Sequence, residues 1–140
     1  MVQNILLAID GSACAGRATD FAASLARCYR THVIVVHAYI PASSKWSESL
    51  RSHPDFETKE KAQQLVDQVV QRLNDMGIGE IIAEVREGPA ASVILGAADT
   101  HHPELLVIGA RGHGLWPGAC LGSVSMAVAQ RADCPVLIIK

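Results

Sequence analysis

Four short, uninterrupted apolar runs are the feature that most constrains how this chain can fold. They occupy residues 5–9, 33–36, 105–108 and 136–139. Continuous apolar runs of this length are typical of parallel strands that are covered by helices on both faces. A fifth segment, residues 80–87, mixes apolar with charged positions. This mixture predicts an edge strand, because one side of such a strand meets water.

Helical stretches separate these runs, at residues 15–30, 56–76, 90–98 and 124–131. Ser12, Gly88-Pro89 and Ser123 precede three of them and are favoured at helix starts, and Gly77 is a stop signal after the second. Strands that alternate with helices imply right-handed crossovers. The sequence therefore predicts an α/β fold, a single doubly wound domain over residues 1–140 with a five-stranded, mostly parallel sheet and helices on both faces. The connection at 40–55, rich in Ser and Pro, is predicted to be a variable surface loop or lid.

Composition and charge narrow the functional classes. A hydrophobic fraction of 49% and a charged fraction of 19% fit one ordinary core, and the net charge of -2 with scattered Lys and Arg argues against a nucleic-acid partner. No leader-like segment or run of about 18 apolar residues is visible, so we expect a soluble, cytoplasmic protein without a membrane partner. The four cysteines are widely spaced without a C-x-x-C pair, which favours unpaired thiols in a reducing compartment.

Two segments stand where a doubly wound sheet binds its ligands, beyond the carboxyl ends of the strands. The first is Asp10-Gly11-Ser12, and the second is the glycine-rich stretch at residues 109–125. Glycines allow backbone N–H groups to approach an anion, and Gly122-Ser123 would present that anion to the start of a helix. The P-loop and dinucleotide signatures both fail here, because no G-x-x-x-x-G-K-[ST] exists and the third glycine of G-x-G-x-x-G is replaced by Pro117.

A more specific spacing is present in the same stretch. Gly109, two residues, Gly112, nine residues, then Gly122-Ser123, together with Asp10 and a final Cys-Pro-Val-Leu-Ile-Ile, resembles the ATP-binding branch of the universal stress protein family. The resemblance runs from "ILLAIDGS" through "VIVVHA" and "LLVIGARGHG" to "LGSVSMAVAQRADCPVLII". It implies the strand order 3-2-1-4-5, an ATP-binding regulatory function with Mg²⁺, and a homodimer formed through the C-terminal strand.

The resemblance also assigns roles to individual residues. Asp10 would lie near the ribose and any Mg²⁺, and the backbone around Ala38, where a branched residue is common in the family, would meet the adenine edge. The implied ribose and phosphate contacts are Gly109, Arg111 and Gly112, and the implied terminal phosphate contacts are Gly122, Ser123, Val124 and Ser125. Ala8 and Ile9 complete the implied nucleotide-binding set. The segment Trp116-Pro117-Gly118 is bulky and stiff within a connection that varies in the family.

Structural roles are the alternatives for these residues. Asp10, Gly109 and Gly112 could be turn residues. Ser123 and Ser125 could cap a helix, and Arg111 could be a solvated charge. His37 is interpreted as packed or hydrogen-bonded rather than catalytic. The remaining candidate metal ligands, His101, His102, His113 and Cys120, do not have ordinary zinc-ligand spacing and are interpreted as structural or surface residues.

Three functional classes remain. We expect a binding protein rather than an enzyme, because the chain lacks G-x-S-x-G and an evident general base. An ATP-hydrolysing or nucleotidyl-transfer enzyme is the alternative, since the same cleft could orient a phosphoryl group. A flavodoxin-like FMN carrier is the third class, because it shares the doubly wound sheet. It is ranked last, since aromatic residues make up only 4% of the chain and no Ser/Thr-rich loop follows the first strand. In the strand order that the resemblance implies, the uncharged final strand at 136–139 lies at an edge, which favours antiparallel pairing with a second copy. The alternative is that the 40–55 connection folds over this edge within one chain. The sequence does not identify a protein partner.

Overall fold

The strands form one parallel sheet, seen in a computed structural model that describes residues 2–43, 56–112 and 121–140. They are β1 (Asn4–Ile9), β2 (His32–Tyr39), β3 (Ile81–Glu87), β4 (Leu105–Gly109) and β5 (Val136–Ile139). Their order is β3-β2-β1-β4-β5, and all four pairings are parallel. The predicted fold class and strand order are confirmed, and β3 is an edge strand as its mixed composition indicated.

Helices cover both faces of the sheet and create two separate cores. They are α1 (Ala13–Tyr29), α2 (Lys59–Asp75), α3 (Ala90–His101) and α4 (Ser123–Arg131). Side chains of a strand alternate between faces, so Ile5, Leu7 and Ile9 pack with α1 and α2. Leu6 and Ala8 pack instead with α3 and α4. Each residue at a strand end can therefore be assigned to one of the two faces.

Capping decides where the helices begin and end, and it explains small departures from the predicted bounds. The Ser12 hydroxyl accepts a hydrogen bond from Ala15 N at 3.2 Å, so α1 begins before residue 15. The Thr58 side chain caps α2, which starts at Lys59 rather than at 56. α3 runs on to His101, because the left-handed residue that ends it is His102, at φ 46°.

Three of the four cysteines lie in the described ranges. Cys14, Cys28 and Cys134 are free thiols. Burial raises the pKa of the Cys134 thiol, and the neighbouring Asp133 acts in the same direction, so this thiol is kept protonated. None of the helices seen in the structure combines the length and apolar character needed to cross a bilayer. Most of the predicted 40–55 loop, His113, Cys120 and the Trp116-Pro117-Gly118 segment lie outside the described residues.

Candidate functional site

The carboxyl ends of β1 and β2 bring two of the predicted site residues side by side. Ile9 pairs with His37, so Asp10, which follows β1, lies beside Ala38, which is near the end of β2. Ala8 and Ala38 pack in the core on the α3–α4 face, whereas the Ile9 side chain belongs to the α1–α2 face. Any ligand contact by Ile9 would therefore use its backbone if the ligand lies on the α3–α4 face.

Asp10 connects the turn after β1 with the segment after β4. Its Oδ1 accepts a hydrogen bond from Ser12 N at 2.9 Å across Gly11, which adopts φ 80°. Its Oδ2 lies so close to Gly112 that a Cβ at position 112 would approach it to 2.4 Å. A side chain at position 112 would therefore displace the Asp10 carboxylate from this position. A carboxylate at this position has the chemistry to bind a hard cation or ribose hydroxyls.

Gly109 is explained by helix packing. A Cβ added to Gly109 would meet Cys14 Cβ at 2.8 Å and Ala15 N at 2.9 Å, both in the first turn of α1. The missing side chain therefore lets α1 lie close against β4, on the face opposite Ala8 and Ala38. This packing favours a structural reason for the absence of a side chain at position 109. Only the backbone of Gly109 could contact a ligand on the α3–α4 face.

Ser12 connects the two candidate segments. Its hydroxyl donates to Arg111 O at 3.3 Å while accepting from Ala15 N in the first turn of α1. The Arg111 carbonyl is thus tied to the turn after β1, and the Arg111 residue is exposed. The sequence pattern identified Ser12 as a helix cap and as part of the segment Asp10-Gly11-Ser12. Its contact across the sheet could not be predicted, because it depends on β1 and β4 being neighbours.

The start of α4 is hydrogen-bonded to the carbonyl of Ala110. Gly122 N donates to Ala110 O at 2.7 Å, and the buried Ser125 hydroxyl lies 2.8 Å from the same oxygen and 3.1 Å from Gly122 O. α4 begins at Ser123, and its N-cap Gly122 supplies no side-chain cap. Backbone N–H groups of a first helical turn have no acceptor within the helix, so those of Ser123 and Val124 are suited to an anion.

A groove of about 430 Å³ also opens near this end of the sheet, between α1 and α2. It includes Gly11, Ser12 and Ile9, and continues past Arg17, Asp20 and Arg72. It lies on the α1–α2 face, whereas Ala8, Ala38 and α4 belong to the other face. The groove and the predicted nucleotide site therefore share the turn after β1 but are different surfaces.

Two of the histidines that the structure describes, His37 and His101, have side-chain partners. His37 is buried, with Nδ1 2.8 Å from Ile9 O and Nε2 2.7 Å from Glu57 Oε2, which confirms the hydrogen-bonded interpretation. His101 Nε2 lies 2.6 Å from Glu84 Oε1 at the other end of the fold. Among the described residues, no group of three or more His, Cys, Asp or Glu is arranged to hold a metal ion.

Two contributors to the site were not identified from the sequence. Ala110 is an apolar residue whose carbonyl accepts from Gly122 N and lies beside the Ser125 hydroxyl. Glu57 reaches the end of β2 from just before α2. Neither has a local sequence signal, because backbone acceptors and partners 20 residues apart along the chain become visible only in the folded chain.

Comparison with known proteins gives a consistent result over the full chain. The model of the universal stress protein family matches residues 1–140. A universal stress protein of Thermus aquaticus is 34% identical over 140 residues, covering 100% of both chains. A solved universal stress protein in complex with cAMP is 26% identical, with a TM-score of 0.76 over 99% of this chain and 97% of that chain. Universal stress protein UspA from Lactobacillus plantarum is 22% identical and shares the fold, with a TM-score of 0.82 over 99% of this chain and 98% of its own.

Proposed function

The chain belongs to the universal stress protein family, and from this premise we propose that it is a small regulatory protein that binds ATP together with Mg²⁺. The observation that carries the proposal is the approach of the Asp10 carboxylate to Gly112, which joins the segments after β1 and β4. The proposed nucleotide lies on the α3–α4 face, with its base near Ala38 and its phosphates toward α4.

The residues at α4 suit the phosphates of this nucleotide. Gly122 caps the helix without a side chain, and the first turn contains no acidic residue that would repel an anion. By contrast, α1 and α2 begin with Ser12 and Thr58 side chains that already accept first-turn N–H groups. The Ser123 residue is exposed and can donate from both backbone and hydroxyl, while the Ser125 hydroxyl is turned toward Ala110.

Nucleotide binding in a similar protein supports the ligand class. The solved universal stress protein that is 26% identical to this chain is in complex with cAMP. That ligand contains an adenine, a ribose and a phosphate, the same three groups for which the site around Asp10, Ala38 and α4 offers partners. The choice of ATP rather than a nucleotide with one phosphate rests on the spacing of Gly109, Gly112 and Gly122-Ser123, which resembles that of the ATP-binding branch of the family.

Asp10→Asn tests the metal and the nucleotide together. The amide keeps an oxygen that can accept from Ser12 N, but it removes the charge that a hard cation favours. We expect calorimetric titrations to show that Mg²⁺ strengthens ATP binding to the parent protein but not to Asp10→Asn. Asp20→Asn is the matched control, because it neutralises a carboxylate of α1 that is paired with Arg72 of α2. Full Mg²⁺ enhancement in Asp10→Asn would return Asp10 to the role of a turn residue.

Binding without turnover is part of the proposal, in keeping with the expectation of a regulatory protein. Purified protein saturated with ATP should release no phosphate above the rate of buffer alone. Sustained release that is lost in Asp10→Asn would instead favour the ATP-hydrolysing alternative.

We also propose a cytoplasmic location, which suits the free thiols at Cys14, Cys28 and Cys134.

A homodimer through β5 is the proposed assembly, and the backbone of β5 supports it. Pro135 O accepts from Leu106 N of β4, and Ile139 O accepts from Ala110 N, just after β4. Because backbone groups of successive residues point to opposite sides of a strand, Val136 and Ile138 direct theirs away from β4, to the outer edge of the sheet. Among the described residues, no strand pairs with this outer edge, and the same apolar edge of a second copy can cover it.

Ile138→Pro is expected to convert this dimer to a monomer while leaving the pairing of β5 with β4 in place. Proline removes the outward N–H of residue 138 and is tolerated where an N–H faces solvent at an edge. Ile138→Val keeps that N–H and is the control. Light scattering at micromolar concentration should give a dimer mass for the parent and Ile138→Val. A monomer mass for the parent, or an unchanged dimer in Ile138→Pro, would reject this interface.

A further inference from the structure

His37 is a buried histidine whose two ring nitrogens both face oxygen atoms. The residue is 5% exposed, with Nδ1 2.8 Å from the Ile9 carbonyl and Nε2 2.7 Å from the Glu57 carboxylate. A carbonyl can only accept a hydrogen bond, and an ionised carboxylate can only accept as well. A neutral imidazole donates from one nitrogen only. Both contacts are therefore satisfied together when the ring carries a proton on each nitrogen.

The surroundings of Glu57 allow it to remain ionised in this pair. Its side chain is 26% exposed, so water still hydrates part of the charge. Glu57 is also fixed through its backbone, because Glu57 N donates to Ile40 O at 2.9 Å. The backbone of Glu57 is thus bonded to Ile40, three residues after His37, and this bond holds the Glu57 carboxylate near the imidazole.

The two contacts of His37 act on the end of β1 from the face opposite the proposed nucleotide. His37 continues the alternation of Val33 and Val35, which pack on the α1–α2 face. Its Nδ1 contact is to Ile9, the residue immediately before Asp10. A constraint on the Ile9 carbonyl limits the peptide plane that joins Ile9 to Asp10, and hence the direction in which the Asp10 carboxylate leaves the strand.

We propose that His37 and Glu57 form a charged clasp, in which a doubly protonated imidazole joins the Ile9 carbonyl to the Glu57 carboxylate and positions Asp10 for the nucleotide. His37 is a positioning residue in this proposal, since it acts through Ile9 and Asp10. The positioning part rests on the proposed nucleotide-binding function, whereas the protonation of the ring is a property of the free protein.

The protonation of the ring is tested by the ¹⁵N chemical shifts of His37 in the nucleotide-free protein at neutral pH. We expect both ring nitrogens of the parent to be protonated. In Glu57→Gln, the amide can donate to Nε2, so we expect Nε2 to be unprotonated while Nδ1 keeps its proton. A parent ring with an unprotonated Nε2, or a ring that is unchanged in Glu57→Gln, would overturn the charged clasp.

Positioning is tested by the affinity for ATP with Mg²⁺, measured by calorimetry. His37→Leu should weaken binding about tenfold, comparable to the loss of one charged hydrogen bond. Glu57→Ala leaves the ring in place and should weaken binding by a smaller factor, which keeps the test available if His37→Leu does not fold. His101→Leu is the matched control, because it removes a similar contact with Glu84 away from the site.

The outcomes separate this inference from the proposed function. Unchanged affinity in folded His37→Leu and in Glu57→Ala would overturn the positioning role while leaving ATP binding intact. A tenfold loss in His101→Leu as well would also overturn it, because the effect would then be a general one. Failure of the parent to bind ATP would overturn the proposed function and the positioning role, and the NMR result would still decide the charged clasp.

Discussion

Gly109→Ala is expected to destabilise the fold by about 1–3 kcal/mol, the usual cost of overpacking a close contact. The added Cβ would lie 2.8 Å from Cys14 Cβ, 2.9 Å from Cys14 C and 2.9 Å from Ala15 N. Two of these three atoms belong to the backbone of α1, so the methyl group cannot be accommodated by rotating a side chain. For a chain of this size, thermal unfolding should show a Tm lowered by roughly 4–12 °C.

Gly79→Ala is the control for this substitution. A Cβ at Gly79 meets nothing within 4 Å, so the same chemical change occurs there without a steric conflict. An equal fall of Tm in both variants would show that the close approach of α1 to β4 is not the reason for glycine at 109. Because the conflict is with α1, the ATP affinity of folded Gly109→Ala should change less than that of a variant at Gly112.

Gly112→Ala is expected to have the opposite profile, with a large loss of ATP affinity and little loss of stability. The new Cβ would approach Asp10 Oδ2 to 2.4 Å, and that oxygen is the end of a side chain that can rotate away. Rotation relieves the conflict but moves the carboxylate from its position. Losing a contact to a charged group costs about 1.5–3 kcal/mol, or roughly 10- to 150-fold in Kd.

Calorimetry with ATP and Mg²⁺ and thermal unfolding should be measured on the same preparations of Gly112→Ala. Gly79→Ala again serves as the control, and its Kd should match that of the parent. Parental affinity in Gly112→Ala would contradict the assignment of Asp10 to the nucleotide. A Tm as low as that of Gly109→Ala would instead show that glycine at 112 is required for folding rather than for binding.

The two glycines illustrate how far a spacing can be interpreted without coordinates. The pattern from Gly109 to Ser123 correctly indicated the family and the sheet-end location. It could not distinguish a glycine needed by a neighbouring helix from one needed by a neighbouring carboxylate. That distinction depends on the direction of a missing side chain, and alternate residues at the end of β4 point to opposite faces.

Helix starts show a similar division. Ser12 was predicted as a cap and accepts from Ala15 N, because capping depends on residues within one turn. Ser123 was also predicted to start a helix, but the cap is Gly122, whose N–H is bonded to Ala110 O. The contact joins Gly122 to a residue well separated from it along the chain, so no local pattern around Ser123 could have indicated it.

The sequence by itself determined the elements of this protein and their layering, because apolar runs and helical periodicity arise from neighbouring residues along the chain. Its resemblance to a family also supplied the strand order. Only the tertiary structure decided that Asp10 meets Gly112, that Gly109 serves α1, and that His37 joins Ile9 to Glu57. These contacts link residues far apart in sequence, and their distances are set by how strands pair and helices pack, which no local preference encodes.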